Sequence, residues 1–141
     1  MLAPNLDDPL TGPFWQAAAE GRLVMCWSAA CNRAIWYPQT HCPVSGEPTI
    51  WRTLSGKATL LSWTVVQAPI NPNFKTPYIP ALVVPEDAPG VRLVTQIVGA
   101  EPDSLLCDMP LAVGFTEIIS ADGERYQAPT FSPAERPQAS Q

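Results

Sequence analysis

Charge is scarce in this chain: Asp, Glu, Lys and Arg supply 15% of its 141 residues, and His41 is the single histidine. So little charge leaves a lone monomer poorly wetted, and a covering partner is expected. Basic residues number 8 against 13 acidic ones, so the net charge of −5 offers no field to gather phosphate backbones. Gly-rich phosphate loops and paired-glycine nucleotide fingerprints are missing. No apolar run reaches bilayer-spanning length and no secretory leader is seen. With four cysteines, this points to a soluble cytoplasmic protein, not membrane-bound, with reduced thiols.

One histidine also narrows the chemistry. A nucleophile needs a base to activate it, and His41 sits among the cysteines of a short, ribbon-like stretch where a cleft is not expected. Independent catalysis is therefore not expected, and no catalytic residue is assigned. Most carboxylates fall beside Pro or Gly in turns. Glu117 lies inside an apolar strand, where an outward surface position is the expectation.

What the chain does have is proline, 17 residues scattered along its length, which argues for short elements and ordered turns. Residues 1–12 read as an extended arm. Pro13, the alanines 17–19 and Gly21 bracket a short helix whose Phe14, Trp15 and Ala18 line one side. From Thr49 onward the pattern is repeated strands. Residues 57–67 alternate Leu61, Trp63 and Val65 against Ser62, Thr64 and Gln67, which places Trp63 in the core. A loop follows at 69–77, then strands at 78–84, 91–98, 111–119 and 125–131. Pro80 marks its strand as an edge or a bulge, and Asp122–Gly123 closes a hairpin. The result is a mainly β fold: a five-stranded Greek-key OB barrel over 51–133, preceded by the short helix and a degenerate zinc-ribbon-like segment over 13–50. Residues 134–141 are expected to be a disordered tail.

The ribbon-like segment has half its ligands. A structural zinc needs four soft donors in a closed tetrahedron, two from each knuckle. Here Cys31 and Cys42 hold ligand positions, while Ser28 and Ser45 stand at the two-residue spacing where their partner thiols belong. Cys26 points the same way as Ser28 on an extended strand and is one substitute. His41 is the other, although its neighbour Cys42 points away from it. The favoured reading is a ribbon that folds without metal. An atypical zinc site of Cys26, Cys31, Cys42 and His41 is the alternative.

Aromatic residues concentrate in the helix and ribbon. Phe14, Trp15, Trp27, Trp36 and Tyr37 are therefore assigned to a surface that binds a partner or a second copy of the chain. Phe74 and Tyr78, in or beside the Pro-rich loop, are expected to be exposed. Lys57, Lys75 and Arg92 are the candidates for contacts to the phosphates of an acyl-CoA.

Several phrases in one order resemble a known family. Phe14 and Trp15, with Gly21 and Leu23, are similar to its opening helix. Cys31 and Cys42–Pro43 are similar to the second and third ribbon cysteines. Lys57 to Val66 resembles its first barrel strand, Pro77–Tyr78 with Ala81 to Val83 its second, and Pro129 to Pro133 its closing phrase. The family joins a rubredoxin-like zinc ribbon to an OB-fold and has long been called domain of unknown function thirty-five. The resemblance implies a noncatalytic accessory subunit of acyl-CoA metabolism that docks a thiolase-like enzyme, a steroid side-chain aldolase or a hotdog-fold hydratase. In such assemblies the partner supplies the catalytic groups. A single-stranded nucleic-acid-binding OB-fold is the alternative from another class.

Overall fold

The computed structural model describes residues 3–134; the tail expected after Pro133 lies outside them apart from Ala134. Residues 3–12, expected to be an extended arm, instead turn back on themselves. The Asp8 carboxylate accepts the N–H groups of Leu10 at 2.8 Å and Thr11 at 2.9 Å, which also holds its carboxyl below the usual range. Gln16 Nε2 then donates to Leu6 O at 2.6 Å, tying this turn to the helix.

Helix α1 spans Gly12–Ala19 and starts with Pro in its first turn, where a missing N–H costs nothing. It stops at Gly21, whose φ of 76° lets Arg22 N–H reach back to Ala17 O (2.9 Å) while Gly21 N–H reaches Ala18 O (3.0 Å). Three short strands follow: β1 (Val24–Ser28), β2 (Arg33–Ala34) and β3 (Ile50–Thr53), ordered β2-β1-β3 and antiparallel throughout. Every residue of β1 is buried. Strand alternation explains why: Met25 and Trp27 join the main core with Phe14 and Leu23, while Cys26 packs on the other side with Ile35 and Cys42.

The barrel strands are β4 (Lys57–Trp63), β5 (Ile79–Pro85), β6 (Leu93–Ile97), β7 (Pro110–Ile119) and β8 (Arg125–Pro133). They close in the order β4-β5-β6-β8-β7, with β6 and β8 parallel and every other pair antiparallel, which is the OB arrangement. Leu60, Val83 and Phe131 have no exposed surface and centre the core. Gly56 makes the corner from ribbon to barrel. Its φ is +87°, and a Cβ there would lie 2.5 Å from Val113 Cγ1.

Two expectations about the strands need correction. Pro80 is on neither an edge nor a bulged strand: β5 is paired on both sides, and Pro80 sits opposite Gln96. Its carbonyl accepts from Thr64 N–H at 3.0 Å, so its missing donor faces an exposed residue just past the end of β4, where water can reach. The bulge lies across the ladder in β4, where the register shifts between Leu60 and Ser62. This shift changes the phase of β4, so Leu61, expected on the same face as Trp63 and Val65, does not pack against the core with them. Ala58 and Leu60 point inward before it, while Trp63 and Val65 pack against the core after it.

Candidate functional site

Barrel closure through the parallel β6–β8 pair brings β8 beneath α1, and an apolar cleft of about 570 Å³ opens where helix, ribbon and barrel meet. Its walls carry Phe14 and Trp15 from α1, Trp36, Tyr37 and Pro38 from the ribbon, Phe74 and Tyr78 from the loop before β5, and Tyr126 from β8. Leu93, Val94, Thr95 and Gln96 of β6 form the floor with Ala128, Pro129 and Thr130 of β8. No charged side chain is among the lining residues. The rings brace one another: Phe14 meets Trp15 edge-on with centroids 5.2 Å apart, Trp15 meets Tyr126 at 5.7 Å and 87°, and Phe74 leans on Tyr78 at 5.0 Å. Trp15 and Tyr126 also wall a second cleft of about 390 Å³, where Glu117, Glu124 and Arg125 supply charge.

Four of the five aromatic residues assigned to a partner surface thus meet in one place, together with Phe74 and Tyr78. Trp27 does not join them. It is buried in the main core, with the Arg52 guanidinium 4.5 Å from its ring centroid. Phe14 is nearly buried and forms the cleft's back wall, whereas Tyr37 is 62% exposed at the rim. Sequence reasoning misses Tyr126. The alternation of its hairpin says only that it faces outward, and the closure of the barrel decides what lies outside.

Lys57, Lys75 and Arg92 are exposed, and none lines the cleft. Glu86 N–H donates to Lys57 O at 2.9 Å, which puts Lys57 at the end of β5, while Lys75 lies in the loop before that strand begins. A seven-residue strand, roughly 20 Å long, separates them. Glu117 faces outward and pairs with Arg125 at 2.9 Å.

The two knuckles are built alike. Cys31 N–H donates to Ser28 Oγ at 3.1 Å, and Ser45 N–H donates to Cys42 Sγ at 3.5 Å. Each turn then passes through a left-handed residue, Asn32 (φ 50°) or Gly46 (φ 75°). Ser28 and Cys42 therefore hold equivalent first positions, and Cys31 and Ser45 equivalent second ones. Cys31 Sγ lies 3.8 Å from Cys42 Sγ across the gap. Hydrogen bonds from the Ser28 and Ser45 side chains, then from the Ser45 and Val44 backbone, bring the Cys42 thiol down from 9.0 to about 6, so it is a thiolate at neutral pH.

A rubredoxin-like ribbon joined to an OB barrel is the class that this fold and these paired turns define. The comparisons with known proteins agree. The family model described as "ChsH2, rubredoxin-like zinc ribbon domain" matches residues 15–50, and "ChsH2, C-terminal OB-fold domain" matches residues 51–116. The chain belongs to this family. The second match stops inside β7, and β8, which closes the barrel, lies beyond it.

A curated relative, the probable enoyl-CoA hydratase alpha subunit of Thermomonospora curvata, is 38% identical over 124 residues, or 86% of this chain. The chain spans 37% of that protein's length. Among solved structures, a chain of the Ltp2-ChsH2(DUF35) aldolase superposes with a TM-score of 0.79 and 29% identity, covering 94% of this chain and 98% of that one. A DUF35 protein of unknown function from Sulfolobus solfataricus shares the fold at a TM-score of 0.58, 11% identity, 90% of this chain and 87% of that one.

The family's ribbon implies zinc, and the donors present here do not fit it. Two of the four knuckle positions are hydroxyls. The substitutes do not complete the set: Cys26 is buried and donates its thiol to Gln39 O at 3.5 Å, while His41 is exposed with Nδ1 3.1 Å from Thr40 Oγ1. Among the described residues no three His, Cys, Asp or Glu side chains converge.

Proposed function

We propose that this chain is a noncatalytic OB-fold accessory subunit that docks a thiolase-like, aldolase or hotdog-fold hydratase enzyme of acyl-CoA metabolism. The observation that carries this reading is the uncharged aromatic cleft, with the half-exposed rings of Trp15 and Trp36 and the exposed Tyr37 around it. Rings held in place by one another remove apolar area from water at small entropic cost, which makes them effective anchors. The names of the relatives, a hydratase alpha subunit and one half of an aldolase pair, supply the chemistry of the partner. His41 and the carboxylates are not arranged around this cleft, so the reacting groups are assigned to the partner. A phosphate backbone has little to bind here: the lining carries no cation and the chain is acidic.

Lys75 follows Phe74 and Arg92 precedes Leu93, two residues that line the cleft, and this adjacency supports assigning them, of the three basic candidates, to the phosphates of an acyl-CoA. Lys57 adjoins no lining residue.

The test is co-expression with a thiolase-like, aldolase or hotdog subunit from the same genome. The expected result is co-elution, and acyl-CoA turnover by the pair but not by this chain alone. Tyr37→Ala should lose the complex while keeping the free chain's melting temperature within a few degrees, whereas Trp15→Ala, which also removes the edge contacts to Phe14 and Tyr126, should lose the complex and lower that temperature. Turnover of an acyl-CoA by the isolated chain, or a partner indifferent to its presence, would overturn the reading.

A further inference from the structure

The ribbon brings two thiols from opposite knuckles face to face and leaves the other two corners of the site as hydroxyls. Cys31 Sγ and Cys42 Sγ are 3.8 Å apart. Cys31 is half-exposed, whereas Cys42 lies at the bottom of the turn with 2% of its surface showing. Each sits in a turn fixed by its own N–H bonds and left-handed residue, so the sulfurs are aimed at one another by backbone geometry. Closing to a bonded distance of about 2.05 Å needs a side-chain rotation and a small approach of the two turns. Cys26 takes no part, because its thiol is turned to Gln39 O within the small core beside β1.

We propose that Cys31 and Cys42 form an oxidisable dithiol, and that a disulfide between them takes the place of the metal as the cross-link of the ribbon. The oxidant class is a small peroxide, with hydrogen peroxide as the simplest member. The half-exposed Cys31 sulfur meets it first: the peroxide O–O bond breaks, one oxygen stays on sulfur as a sulfenic acid, and the other leaves as water. The Cys42 sulfur then attacks the Cys31 sulfur, the S–S bond forms, and the second oxygen departs as water. Two thiols give up two electrons and two protons, and one peroxide becomes two waters. Ser45 N–H holds the Cys42 sulfur in place at 3.5 Å.

The experiment uses the full chain carrying Cys107→Ser, since Cys107 is exposed and would link molecules to one another. Fully reduced protein is treated with hydrogen peroxide, then alkylated, weighed intact and mapped by peptide. The expected result is an intact mass lower by two hydrogens before alkylation. Cys31 and Cys42 should vanish together from the alkylated peptides while Cys26 stays, and dithiothreitol should restore both. Cys31→Ser and Cys42→Ser should each abolish the cross-link. The unsubstituted map carries the test even if a variant fails to fold. A mass that rises by whole oxygens, a bridge involving Cys26, or one equivalent of zinc co-purifying and shielding both thiols would each overturn the proposal.

Discussion

In the barrel, β7 and β8 run nine residue pairs in one unbroken register, from Leu111 opposite Pro133 to Ile119 opposite Arg125, whereas in the ribbon β1 and β2 share two. The long ladder fixes its strands by repeated backbone bonds, and no single side chain decides its shape. The ribbon has no such redundancy. Its knuckles are held by a few contacts that converge on one sulfur, where relatives of its class place an ion. The contrast teaches that a ribbon which has lost half its ligands persists here by leaning on its neighbour. Met25 and Trp27 of β1 enter the same core as Leu60, Val83 and Phe131 of the barrel.

The sharpest way to break this contrast is to give the ribbon its missing ligands. Ser28→Cys with Ser45→Cys places four thiols at the four equivalent positions, and the double variant should bind one zinc with an apparent free energy on the order of 10 kcal/mol. Elemental analysis and chelator-dependent melting check it, and a metal-free double variant would show that the knuckles are not set for a tetrahedron. Damage to the barrel ranks next. Phe131→Ala empties the fully buried centre of the core and should cost about 3–5 kcal/mol in urea unfolding.

A gentler probe is pH. The Cys42 thiol is held at about 6 in the fold against an ordinary 9.0, so its ionised form is the one that folding favours. Its contribution is complete above about 9 and is lost as pH falls towards 6. Melting temperature followed across that window should fall on the acid side, and Cys42→Ser should remove this part of the slope. In the folded protein the thiolate's ultraviolet absorbance should titrate around 6. The smallest effect belongs to the barrel surface. Glu117→Gln breaks the exposed pair with Arg125 and should change stability by less than about 1 kcal/mol, vanishing in high salt.

The barrel is largely legible in the sequence because alternation has a period of two and each strand of this fold buries one face. Leu93 and Ile97, or Ala81 and Val83, show it without any knowledge of neighbours. Pro80 misleads because its consequence depends on what stands across the ladder, and there β4 has already ended. Leu61 misleads for a related reason: a bulge changes phase, and the residues on either side look regular. Of the candidate site, the aromatic content is visible in the sequence but the assembly is not. Trp15, Trp36 and Phe74 are far apart along the chain, and the closure of the barrel, with Ile97 beside Phe131, sets β8, and so Tyr126, against the helix. Composition does not separate Trp27 from Trp36, since burial on both faces of β1 follows from what the barrel offers to one side of it.

That doubly covered strand has a mechanical consequence. Val24–Ser28 is a party wall, with the knuckles leaning on one side of the masonry and the barrel on the other. A chain cut near residue 50 would leave either half with a raw apolar face, so the two modules, though matched by separate family models, do not come apart cleanly.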